Sequence, residues 1–390
     1  MKNNIDREKN LFLPSYKRLN FDISHGEGVH LISKTGTRYL DFFSGLGVNA
    51  LGHAHPAIVA AIQAQINKFS HVSNYFITDI QLEFAASLLE YSGMSKIFLT
   101  NSGTEAVEAA IKAVRRVKGS QGNILTLTGS FHGRTYGAMS LTDRTKNKKE
   151  FEPLLPKIST IKFNDEIDLV KKVDEYTAAI FLEFVQGESG INIVSQQFVN
   201  TINELSQKFD FAIIADCIQS GIGRTGKFYA FNYFDINPDI ILVAKSIGGG
   251  LPLGAMLTKG VYDEAFLPGY HGSTFGGNPV SCAAGIVVLK EVFETGLMIA
   301  VTELGSYFME ELKALANIFP SLVREVRGLG FMIGVEMVTD CNTIVEQMMK
   351  RRVLINCTNQ KVVRILPPLI ATKNDIDFFL YNFHQVLKSL

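Results

Sequence analysis

Residues 239–255 read DIILVAKSIGGGLPLGA. The apolar run Ile240–Ala244 ends in Lys245, and a glycine-rich loop begins at Gly248. A strand with no polar alternation belongs to a sheet covered on both faces. Four more runs of this kind occur: KIFLT (96–100), NILTLT (123–128), AAIFLEFV (178–185) and FAIIAD (211–216). Helical stretches lie among them, TEAVEAAIKAVRRV (104–117) and FVNTINELSQKF (198–209). Buried strands alternating with helices predict an α/β fold with a largely parallel, doubly covered sheet. Open sheets of that type bind ligands outside the carboxyl ends of their strands, so the functional residues should follow the apolar runs.

Outward from this centre, the first fifty residues mix strand-like pieces, GVHLIS (28–33) and RYLDFF (38–43), with glycines. HPAIVAAIQAQINKF (55–69) repeats Ile58, Ile62 and Ile66 at helical spacing, and IQLEFAASLLEY (80–91) follows. A long helix starts near Pro279, and GFMIGVEM, RVLINC and VVRILPPLI come after it. The division expected is a large domain over 51–284 and a smaller α+β domain over 285–390, completed by segment 1–50.

At 390 residues, 46% apolar and 19% charged, the chain reads as a globular protein of about two domains. Its 38 basic and 38 acidic residues cancel, so no long-range field draws nucleic acid or an anionic membrane. The basic stretch RTKNKKE (144–150) lacks aromatics and reads as a solvated loop. No apolar run approaches the roughly 20 residues that span a bilayer. The polar MKNNIDREKN shows no secretory signal, so a cytoplasmic setting is expected. Cys217, Cys282, Cys341 and Cys357 lie far apart without CxxC spacing and are read as free thiols. His53 and His55 in GHAH suit a turn better than a metal site.

Three strand ends carry chemistry. After KIFLT, Ser102 and Glu105 form an S-x-x-E capping box, which by itself explains a tight turn. Gly103 and Thr104 also open a helix whose unpaired N–H groups attract an anion such as phosphate. FAIIAD ends in Asp216, followed by Cys217, Ile218 and Gln219. Asp216 and Lys245 are then either a plain ion pair or two groups holding opposite ends of one ring. A lysine in a desolvated site loses its proton readily and becomes a nucleophile. A lysine for an aldehyde, a cradle for a phosphate and a carboxylate for a ring nitrogen are what pyridoxal 5′-phosphate requires. GIGRTG (221–226) matches G-x-G-x-x-G, but KFYAFNYF after it is a poor helix, and a dinucleotide site is rejected.

With these residues in place the chain resembles the class III (subgroup II) pyridoxal-phosphate aminotransferases, within them most of all the acetylornithine branch. YLDFFSGLGVNALGHAHP, TNSGTEAVEAAIK, SFHGRT, VQGESG, GIGRTGKF, LVAKSIGGGLPLGA, HGSTFGGNP and VRILPPL carry the likeness in order. The resemblance implies the type I fold of pyridoxal-phosphate-dependent transferases, a mostly parallel large domain with a smaller α+β domain. It makes Lys245 the lysine that bonds the cofactor and moves the proton, and Asp216 the partner of the ring nitrogen. Gly103 and Thr104 become the phosphate cradle, Phe131 the stacking aromatic, and Ile218 and Gln219 cofactor contacts. Thr274 would reach the phosphate of a second subunit, which implies a homodimer with shared sites, and Ser273 would touch substrate. An isolated arginine pairs with a local acid by default. By resemblance, though, Arg134 holds the carboxylate distant from the reacting amine, and Arg364 the α-carboxylate of glutamate. Glu188 would gate Arg364.

The reaction expected moves the δ-amino group of N2-acetyl-L-ornithine to 2-oxoglutarate, in arginine biosynthesis. N-succinylornithine, ornithine and 4-aminobutyrate stay open as donors. Cys217, Phe184 and Val107 stand where relatives usually carry Glu, Pro and Asn. Two other classes remain, a decarboxylase on the same scaffold and a cofactor-binding regulator. Two carboxylate-binding arginines argue against the first, and retention of Lys245, Asp216 and Arg134 against the second.

Overall fold

A computed structural model describes residues 4–390 except Lys17, Asn20 and positions 144–147, and without the side chains of Ile5 and Asp6. Helix α1 (Asn4–Leu11) precedes three antiparallel strands, β1 (Ile23–Glu27), β2 (His30–Ser33) and β3 (Arg38–Asp41). A left-handed turn, α2 (Ser44–Gly47), leads into α3 (Pro56–Ile66) and α4 (Asp79–Ser92). Strands and helices then alternate through β4 (Lys96–Thr100), α5 (Gly103–Lys118), β5 (Asn123–Leu127) and α6 (Tyr136–Leu141). The alternation continues through β6 (Ile158–Ile161), α7 (Glu166–Lys172) and β7 (Thr177–Leu182). A two-stranded pair, β8 (Val185–Gln186) and β9 (Asn192–Ile193), precedes α8 (Gln196–Phe209) and β10 (Ala212–Asp216). After β11 (Ile240–Val243) and β12 (Gly254–Thr258) come the long helices α9 (Pro279–Glu294) and α10 (Leu297–Ile318). The chain closes with β13 (Val323–Leu329), β14 (Met332–Met337), α11 (Asn342–Lys350), β15 (Val353–Leu354), β16 (Asn356–Thr358), β17 (Val362–Ile365) and α12 (Lys373–Lys388).

The main sheet runs β4-β12-β11-β10-β7-β5-β6. All its strands are parallel except β12, which is antiparallel to both neighbours. The link from Ala244 to Leu253 explains that exception, since a parallel neighbour needs a crossover of about a dozen residues or more. Side chains alternate between two cores, as strand geometry requires. Ile214, Ile240 and Leu242 pack under α5 with Ala106, Ala109 and Ala110. Ile213, Ile241 and Val243 face the other side, with Phe84 of α4, Phe198 of α8 and Val288 of α9. The carboxyl ends of β4, β5, β7, β10 and β11 therefore share one edge.

Strand β15 pairs in parallel with β3, Val353 beside Leu40, so the N-terminal strands join the last third of the chain. A second antiparallel sheet, β13-β14-β17-β16, stands beside it.

The expectation of four free thiols is corrected at one pair. Cys341, just before α11, and Cys357, in β16, form a disulfide with Cα atoms 5.7 Å apart. Packing of α11 on β16 joins residues separated by 16 positions, which no local spacing motif reports. Cys217 and Cys282 are free and buried. Of the stretch 144–150, read as a solvated loop, residues 144–147 lie outside the described residues; Lys149 and Glu150 are exposed, and Lys148 Nζ donates to the carbonyls of Ser140 and Thr142, both at 2.9 Å. His53 Nε2 lies 2.8 Å from Asp41, a packing role. After GIGRTG the chain takes a short 3-10 turn at Ala230–Tyr233 where a dinucleotide fold needs a helix. Arg224, fully buried, donates there to the carbonyls of Phe331 and Pro367, and burial pushes its pKa down to about 9. Among the described residues, no helix is long and apolar enough to cross a membrane.

Candidate active site

The shared strand edge opens into a cavity of about 610 Å³. Each parallel strand except β6 supplies it: Asn101–Thr104 after β4, Phe131–Arg134 after β5, Glu183 after β7, Asp216, Ile218 and Gln219 after β10, and Lys245 after β11. The register that sets Asp216 beside Leu242 brings Lys245 to the same end as the acid.

Lys245 is backbone-strained, with φ +52°, and its amine makes no side-chain hydrogen bond or ion pair among the described residues. Burial pushes its pKa down to about 8, with the Arg364 cation adding to the effect. Asp216 is held on both oxygens. Oδ1 accepts from the Ile218 N–H at 3.0 Å, and Oδ2 lies 2.6 Å from His132 Nδ1. Burial, the largest single effect, opposes protonation of His132, but the hydrogen bond to Asp216 together with the negative charges of Asp216 and Glu183 outweighs it and raises the pKa. Its Nε2 has no partner among the described residues. Glu183 accepts from the Phe131 N–H at 2.9 Å and so fixes the backbone under that ring. Burial, against the pull of His132, pushes the Glu183 carboxyl up to about 7.

At the mouth of α5, Ser102 Oγ caps the Glu105 N–H at 3.4 Å. The capping box is incomplete: Glu105 reaches back to the N–H and side-chain amide of Asn101, not to Ser102. Gly103 is required by close approach, because a Cβ there would come within 2.7 Å of Ile218 Cδ1. Thr104 Oγ1 meets Thr135 Oγ1 at 2.8 Å, and Thr135 donates to Glu108 at 2.5 Å.

Arg134 is exposed, its guanidinium 5.4 Å from the Phe131 ring centre. Arg364 is 1% exposed and sits behind Gln219 and Glu188. Its Nη1 donates to Glu188 Oε1 at 2.6 Å and to the Gly187 carbonyl at 3.1 Å, and its Nε to Asn356 Oδ1 at 3.1 Å. Ser273 and Thr274 do not join this cavity. They line another concavity, with His71, Tyr75 and Gln81, and Ser273 Oγ accepts from Asn101 Nδ2 at 3.2 Å.

Sequence reading overlooked Glu183 and Asn101, although the strand-end rule that found Asp216 also points to both. His132 stood unremarked inside SFHGRT. Tyr16 lines the cavity from the far end of the chain, and no local signal marks it.

A lysine with a lowered pKa, a two-point-anchored aspartate and a glycine-opened helix at one sheet edge define a class of enzyme, and similarity to known proteins agrees. The aminotransferase class-III family model matches residues 12–387, and the chain belongs to that family, whose members are pyridoxal-phosphate-dependent transaminases. It is 43% identical to an acetylornithine aminotransferase of Aquifex aeolicus, over 96% of this chain and 98% of that one. A crystal structure of Toxoplasma gondii ornithine aminotransferase, described as partially occupied by PLP at its active site, superposes with a TM-score of 0.95. It shares 27% identity and covers 99% of this chain and 94% of its own. Acetylornithine aminotransferase from Elizabethkingia anophelis superposes with a TM-score of 0.89 at 28% identity, covering all of both chains.

Proposed function

We propose that this chain transfers the δ-amino group of N2-acetyl-L-ornithine to 2-oxoglutarate, giving N-acetyl-L-glutamate 5-semialdehyde and glutamate, a step of arginine biosynthesis. The arrangement of Lys245, Asp216 and the α5 N-terminus around one cavity carries the reading. These residues fit pyridoxal phosphate: Lys245 would bond it, Asp216 would face its ring nitrogen, and Gly103 and Thr104 would receive its phosphate. Phe131, Ile218 and Gln219 would contact its ring. When bound, the cofactor supplies an electron sink for the substrate's reacting carbon.

The chain's own groups do the rest. Lys245 would also take and return the proton at that carbon. His132, hydrogen-bonded to Asp216, keeps that carboxylate oriented. Arg134 receives the carboxylate remote from the reacting amine, and Arg364 the α-carboxylate of glutamate, once Glu188 has moved aside. Ser273 and Thr274 would serve the cavity of a second copy in a homodimer. Supporting that, Tyr75, which lines their concavity, and its chain neighbours Phe76 and Ile77 are exposed, as is Phe275 beside Thr274.

The testing experiment is a single-turnover comparison of wild type with Arg364→Ala. Loss of a buried carboxylate clamp should lower kcat/KM for 2-oxoglutarate by about 10²–10³-fold. The acetylornithine half-reaction should lose less than about tenfold. Equal losses contradict the division of labour between the two arginines.

Lysine ionisation gives a second check. Only the neutral amine of Lys245 can bond the cofactor, and its share grows as pH rises toward the lowered pKa. Loading of apo-protein with pyridoxal phosphate should therefore accelerate about tenfold per pH unit below the pKa and level off above about 8. Continued acceleration to pH 10 would mean an unshifted lysine.

A further inference from the structure

Residues 187–191 join β8 to β9, and the turn at 187–190 carries Glu188. All four successive carbonyls of this turn accept a hydrogen bond from a side chain in the last third of the chain. Gly187 O accepts from Arg364 Nη1 at 3.1 Å, and Glu188 O from Thr358 Oγ1 at 2.6 Å. Ser189 O accepts from Asn359 Nδ2 at 3.1 Å, and Gly190 O from Arg327 Nε at 3.0 Å. The donors are themselves fixed. Arg327 pairs with Glu325 and Glu336, each at 2.6 Å, and Thr358 and Asn359 follow the Cys357 that is bonded to Cys341. Arg364 is also held by Asn356 through its Nε.

We infer that Thr358, Asn359 and Arg327 are positioning residues that clamp the main chain beneath Glu188, so that the gate over Arg364 opens by rotation of the glutamate side chain alone. The inference rests on the gate reading above. Moving the loop would break four hydrogen bonds at once, three of them to buried or half-buried side chains, whereas turning the glutamate side chain leaves all four in place. Arg364 is pinned at 1% exposure, while the Glu188 side chain is 32% exposed and faces the cavity. Glutamate is thus the moving member. The clamp matters because the two substrates ask opposite things of Arg364. An ω-amine donor needs the guanidinium neutralised by Glu188, and 2-oxoglutarate needs it bare. A fixed main chain holds the carboxylate within reach of the cation and biases the resting gate toward closure.

The test uses holoenzyme carrying Thr358→Val with Asn359→Gly, assayed with N2-acetyl-L-ornithine and with 2-oxoglutarate. Loosening the loop should raise KM for the donor about threefold to tenfold while KM for 2-oxoglutarate stays level or falls. Thr358→Ser, which keeps the hydroxyl, should restore the wild-type ratio. Arg327→Lys, which keeps a cation beside Glu325 and Glu336 but loses the Nε donor, should shift the ratio the same way. In a Glu188→Gln background the clamp substitutions should add nothing, because the group they position is gone. Both KM values rising together, or an additive shift in that background, would overturn the clamp. A ratio changed by Glu188→Gln and untouched by the clamp variants overturns the clamp alone. A ratio indifferent to Glu188→Gln overturns the gate and the clamp with it.

Discussion

Lys245→Ala should lower kcat by at least about 10⁴-fold, because one group supplies both the bond to the cofactor and the proton transfer. The visible absorbance of cofactor bound through the lysine should vanish with it. The fold should persist for two reasons. The amine makes no hydrogen bond or ion pair among the described residues, so none is lost, and alanine tolerates φ +52° no worse than lysine does. Stability offers an independent readout. The amine's folded pKa, about 8, lies below the ordinary lysine value of 10.5, so the folded state binds fewer protons than the unfolded one between those limits. The penalty of the buried amine is full below pH 8 and fades as pH rises toward 10.5. Apo Lys245→Met, which keeps the stem's volume, should therefore have a higher denaturation midpoint than wild type at pH 7, and the gap should narrow by pH 9.5. A variant that keeps the visible band, or a gap that widens with pH, would remove Lys245 from its proposed place.

Asp216→Asn should reduce both half-reactions together, by at least about 10²-fold, since it removes the carboxylate that lines the cavity at the end of β10. Asparagine keeps the shape and still accepts from the Ile218 N–H. Its amide, however, presents hydrogen atoms where Oδ2 now meets His132 Nδ1 at 2.6 Å. The neighbouring imidazole then loses the partner that raises its pKa, and its NMR titration should move to lower pH. Equal loss in both halves is the distinguishing result, because Arg364→Ala is expected to damage the 2-oxoglutarate half far more than the other. If Asp216→Asn spared either half, the carboxylate would not serve a step common to both.

The legible part of the molecule follows from short-range chemistry. The apolar strands ending at Thr100, Asp216 and Val243 announced a doubly covered sheet because burial on both faces leaves no polar alternation. The residues at or just past those ends, Asp216, Gly103 and Lys245, were identifiable as site residues because parallel strands put all such ends on one edge. The antiparallel insertion of β12 was less visible, since GAMLT carries no mark of direction. The Cys341–Cys357 bond was invisible for a related reason: α11 and β16 meet through packing, and spacing along the chain does not encode it.

Local composition thus determined the fold class, the strand ends and the candidate lysine, acid and anion cradle, because period, polarity and helix capping act over a few residues. Tertiary structure alone decided what those residues feel. It buried Lys245 and anchored Asp216 on His132. It set Arg364 against Glu188 and drew Tyr16 into the cavity from the chain's beginning. These are contacts and desolvation between residues far apart in sequence, and such energies exist only once the chain has closed around them.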